Sequence, residues 1–198
     1  YIYISSDGHI VDTVSSQITM NLPDDTGLYN KDVKIDIQII DEEPYSGIQT
    51  IDYWIVKDND NENPTQQGNL FSFDLDSSMF EELARPTYEQ LINVWNGSII
   101  VEAEKNNSSN VVVYVKTVDN AGNESVKSKQ IDIDITDPTI DITFDNNKDN
   151  NRNTYFNAVR KATVTITERT NHFHSGDATN GINISAVDGK GKAVNNAY

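Results

Sequence analysis

Cysteine is missing from all 198 residues. That absence excludes a disulfide framework, thiolate metal sites and a cysteine nucleophile. Basic residues are scarce as well: 15 Lys and Arg stand against 31 Asp and Glu, giving a net charge of −16. A field of that sign repels phosphate backbones and anionic headgroups, so neither nucleic acid nor a membrane surface is an expected partner. No apolar run approaches the roughly 20 residues of a membrane span, and no signal peptide or sorting tail is legible. The sequence also lacks G-x-S-x-G, H-E-x-x-H and a phosphate-cradling glycine loop. In so acidic a chain, two neighbouring carboxylates say little about acid–base chemistry. No enzyme is expected.

What the sequence does contain is strand-forming. Its apolar residues are mainly Ile and Val, which suit a pleated surface. Val33, Ile35, Ile37 and Ile39 alternate with Lys34, Asp36 and Gln38, the pattern of a half-buried antiparallel strand. Ile51, Tyr53 and Ile55 repeat that period, with Trp54 and Val56 on the other face. The single helical pattern lies in residues 79–95, where Thr87 would cap a short helix carrying Leu91, Ile92 and Trp95. Strand patterns separated by turn clusters predict an all-β sandwich.

The stretch VVVYVKTVDNAGNESVKSK, residues 111–129, reads as a long hairpin. Asp119 is placed to bond the turn backbone through its side chain, and Gly122 or Asn123 to take positive φ. The chain also repeats itself. DTVSSQITMNL (Asp12–Leu22) precedes the alternating run at Val33, and DITDPTIDITF (Asp134–Phe144) precedes YFNAVRKATVTITER. The expected domains are therefore an N-terminal strand and linker at 1–17, a sandwich at 18–136, and a second unit at 137–198. That second unit falls short of a complete sandwich of roughly 100 residues. The strand pattern is already running at YIYI and still running at NNAY, as expected of an excerpt from a longer protein.

Three pieces carry a family resemblance: Ser46-Gly47-Ile48 leading into Ile51-Asp52-Tyr53-Trp54, the Tyr114–Asn123 hairpin with its D-x-A-G-N turn, and the Asp134–Thr139 linker. Together they resemble bacterial Ig-like and fibronectin-III-like cell-surface repeats. The resemblance implies tandem Ig-like antiparallel β-sandwiches; the short helical insertion expected in the first departs from that pattern. It also implies a spacer or stalk in an exported bacterial surface protein, with neighbouring Ig-like domains of the same chain as partners. Two other tasks stay open: an adhesin or carbohydrate-binding module gripping glycan or host protein, and an accessory domain of a secreted hydrolase.

Asp58, Asp60 and Glu62 alternate in DNDNEN, so three carboxylates could converge on calcium. Against that stands a solvated acidic loop, which is also the reading of DNNKDNNRN at 145–153. Asp134 and Asp137, with Asp119 or Glu42, are a second set that could share an ion. His172 and His174, beside Asp177, are spaced as a ligand pair on a strand. Trp54, Tyr88 and Trp95 would form a sugar-stacking platform if they shared an exposed face, whereas aromatics at strand positions ordinarily serve the core.

Overall fold

The computed structural model describes residues 3–4, 10–73, 91–144 and 162–167, and every regular element within them is a strand. In chain order these are β1 (Tyr3–Ile4), β2 (Ile10–Val11), β3 (Gln17–Asn21), β4 (Leu28–Tyr29), β5 (Val33–Ile40) and β6 (Ile48–Lys57). There follow β7 (Gln66–Ser72), β8 (Val94–Val101), β9 (Ser108–Asp119), β10 (Glu124–Ile133), β11 (Thr139–Phe144) and β12 (Ala162–Thr167). The chain divides into two units, Tyr1–Ile135 and Thr136–Tyr198.

The first unit is built on two sheets. One is three-stranded, β3-β5-β8, and the other five-stranded, β4-β10-β9-β6-β7. All pairings are antiparallel except the two-residue β4–β10 contact, which is parallel. Burial follows the alternation read from the sequence. Val33, Ile35, Ile37 and Ile39 point inward, while Lys34 and Asp36 face solvent. Ile51 and Ile55 do the same from β6, and Val111, Val113 and Val115 from β9. These residues of both sheets belong to one core cluster, the arrangement of a β-sandwich. Burying an Ile or Val side chain contributes roughly 1.5–3 kcal/mol, so this shared interior is the main source of cohesion.

The hairpin predicted from VVVYVKTVDNAGNESVKSK forms as β9 and β10, with registers from Glu124↔Val118 to Ile131↔Val111. Gly122 supplies the positive φ, at 88°. Two differences from the sequence reading are physical. Val94 and Trp95 lie in β8, where they pair with Ile40 and Ile39 of β5. Cross-strand pairing therefore overrides the helical spacing at those two positions, and residues 79–90 of that expectation fall outside the described residues. In addition, Val56 is buried although it lies on the face of β6 opposite Ile51 and Ile55.

In the second unit, β11 pairs antiparallel with β12 from Thr139↔Thr167 to Phe144↔Ala162. The first unit joins the corresponding stretches of sequence in the same way, β3 with β5. A separate two-stranded pairing, β1 with β2, precedes the sandwich. Among the described residues no helix is long and apolar enough to cross a membrane.

Candidate functional site

Strand register brings three distant stretches to one end of the first sandwich. Gln17 at the start of β3 pairs with Ile40 at the end of β5, and Ile48 at the start of β6 pairs with Asp119 at the end of β9. The linker before β3, the β5–β6 loop and the β9–β10 turn therefore meet there. Each contributes one aspartate: Asp12, Asp41 and Asp119, which are 8%, 1% and 0% exposed. One carboxylate oxygen from each lies within 4.8 Å of the others.

Backbone amides fix these side chains. Asp12 accepts from the N–H of Val14 at 2.9 Å and of Ser46 at 2.8 Å. Asp41 accepts from the Gly47 N–H at 2.8 Å and from the Ser16 hydroxyl at 3.4 Å. Asp119 accepts from the N–H of Ala121 at 2.9 Å and of Asn123 at 2.8 Å, and from Asn123 Nδ2 at 2.8 Å. Asn123 Nδ2 also reaches the Asp12 carbonyl at 3.3 Å, tying the hairpin turn to the linker. Gly47 is required by this geometry. Its φ is +88°, and a Cβ there would lie 2.9 Å from Leu91 Cβ.

The electrostatics are unfavourable as they stand. The ion pairs among the described residues are Lys34–Asp36, Lys105–Glu102 and Lys116–Glu124, and none touches the three aspartates. Two unit charges no more than 4.8 Å apart repel by roughly 3 kcal/mol or more at an effective dielectric near 20. Burial pushes the Asp41 carboxyl up to about 6, with the charges of Asp12 and Asp119 adding to the rise and the Gly47 amide opposing it. Three buried carboxylates so placed can relax in two ways: one keeps a proton, or a cation is shared.

The other expected site residues are dispersed. Asp58 and Asn59 take positive φ, 55° and 63°, in the turn after β6. The Asp58 carboxylate accepts from the Ser108 hydroxyl, whereas Asp60 accepts from Asn63 N–H and Nδ2. Glu62 is exposed. Asp60 thus serves its own turn and Asp58 a bond to Ser108 of β9, and among the described residues the carboxylate grouping falls at Asp12, Asp41 and Asp119. Of the second expected set, only Asp119 takes part.

The aromatics divide between the sheets. Trp54 of β6 stacks on Tyr114 of β9, with ring centroids 5.0 Å apart and planes 3° from parallel. Trp95 of β8 packs against the core. Tyr88, His172, His174, Asp177 and residues 145–153 lie outside the described residues. Compared with known proteins, the chain matches no family profile and no curated sequence.

Proposed function

We propose that this chain is a structural spacer: a tandem Ig-like segment of an exported bacterial cell-surface protein, linking or presenting neighbouring modules. One observation carries the reading. The chain enters the first sandwich at the end where Asp12, Asp41 and Asp119 meet and leaves at the opposite end. There the Asp132 N–H donates to the Gly27 carbonyl at 2.7 Å and the Asp134 N–H to the Tyr29 carbonyl at 2.8 Å. A strand of twelve residues, as β9 is, spans about 36 Å at roughly 3.3 Å per residue. Tension applied at entry and exit would therefore pass along paired strands rather than peel one edge.

Strand order supports the Ig-like part. β3-β5-β8 corresponds to the A-B-E sheet of such sandwiches and β10-β9-β6-β7 to G-F-C-C′. The interval between β10 and β11 is short, residues 134–138. A short joint limits the freedom of successive units, as a spacer needs.

Small-angle scattering of the 198-residue chain tests the spacer. A single compact body of this size has a radius of gyration of about 16 Å. The spacer reading predicts a distinctly larger value with the distance distribution of a cylinder. A value near that of a single globule contradicts it.

A further inference from the structure

We propose that Asp12, Asp41 and Asp119 bind a hard divalent cation, calcium in the first place, which fastens the entering chain to the β5–β6 loop and the β9–β10 turn. The inference stands on the first sandwich alone and does not need the spacer reading. Two observations lead to it. The carboxylates are interior and held by N–H donors of the surrounding loops, Asp12 by the Ser46 amide of the β5–β6 loop, so they cannot swing out to shed their repulsion into water. Every donor they accept from is neutral, so the negative charge of the group is left without a counter-charge among the described residues.

The second observation is independent of the acids. Thr117 lies two residues before Asp119 on the same inward face of β9; it is 0% exposed, and its hydroxyl has no hydrogen-bond partner. A buried hydroxyl left without a partner is costly unless something else satisfies it. Beyond Asp119 in sequence, Asn120 Oδ1 is also buried without a partner. Its Nδ2 is held by the carbonyls of Ser46 and Gly47, whose N–H groups bind Asp12 and Asp41. Thr117 thus shares the inward face of β9 with Asp119, and Asn120 follows Asp119 in the chain.

Size and chemistry narrow the cation. The grouping offers oxygen only, which suits calcium and magnesium rather than zinc or copper. The three carboxylate oxygens lie within 4.8 Å of one another in a buried setting. Calcium accepts irregular shells of protein oxygens, whereas magnesium demands a near-ideal octahedron and usually keeps several waters, so calcium is the better match. Ser16, which donates to Asp41, also lines an open groove with Gln17, Ser125 and Lys127.

Isothermal titration of the EDTA-treated chain with calcium chloride near neutral pH, with magnesium chloride as a second arm, reads the site directly. The expected result is one calcium site, bound more tightly than magnesium and weakened at least about tenfold in Asp41→Asn and Asp119→Asn. Both replacements keep the side-chain shape, and far-ultraviolet circular dichroism confirms that they fold. Hydrogen exchange at Val14, Ser46, Gly47, Ala121 and Asn123 should slow when calcium is added. Asp58→Asn serves as a control, expected to bind as the parent does. Absence of binding up to about 1 mM calcium, or binding that survives both aspartate variants and disappears in Asp58→Asn, overturns the proposal.

Discussion

Asp41 shows how one residue's burial becomes a property of the whole chain. Its carboxyl titrates near 6 in the fold against an ordinary 3.8, so the folded form holds a proton that the unfolded form has released. The groups facing it are the carboxylates of Asp12 and Asp119, the Gly47 amide and the Ser16 hydroxyl. With divalent ions removed, this contribution is fully present below about pH 4 and is lost as pH rises to about 6. The displacement is worth roughly 3 kcal/mol at most. Asp41→Asn should flatten that part of the stability profile in urea titrations and make the metal-free protein more stable at pH 7 than its parent. A parent profile that rises between pH 4 and 6, with the variant following it, contradicts the assignment. The three aspartates were largely illegible beforehand. Positions 12, 41 and 119 are joined only by strand register; Asp119 alone stands in a candidate ion set of the sequence, and with other partners, while Asp12 and Asp41 read as ordinary turn acids. The visible signals were Asp12 at the head of a repeated stretch and Asp119 at the head of a D-x-A-G-N turn.

Among the elements, those with strict period-two patterning were legible and those without it were not. β5 and β9 lie where alternation put them, because one face of each is buried and a slip by one residue would turn that face's Ile and Val to water. β10 is set by its ladder to β9, its first seven residues being largely exposed. Ile55→Ala should cost about 2–5 kcal/mol in equilibrium unfolding, whereas Val126→Ala, on a residue 56% exposed, should stay within about 0.5 kcal/mol. Similar costs at the two positions would mean the core is wrongly placed. β8 was read partly as helix because Leu91, Ile92 and Trp95 have helical spacing. What decides the matter at Trp95 is long-range: the residue pairs with Ile39, and its indole covers Gly97 so closely that an added Cβ would lie 2.1 Å from the ring. Gly97→Ala should therefore expel the indole at a cost of about 1–3 kcal/mol. In a Trp54→Phe background the emission of Trp95 should shift to the red; unchanged emission and stability would show that the ring does not rest there.

At the scale of the whole molecule, composition gave the all-β class and the acidity, and a further antiparallel pairing, β11 with β12, lies after Thr136. A spacer is useful only if the chain entering it is held as firmly as the chain leaving it. The exit is secured by β10 and its backbone bonds to Gly27 and Tyr29. The entry has no such ladder between Val11 and Gln17, and the contacts that hold Asp12 come from side chains and turns. A cation among the three aspartates would supply the missing fastening. Calorimetric melting of the parent chain and of Asp119→Asn across a calcium series, with EDTA as zero, tests this most directly. The account predicts a parent midpoint that climbs with the logarithm of calcium concentration and a variant midpoint that stays level. A parent that melts at the same temperature in EDTA and in millimolar calcium contradicts it.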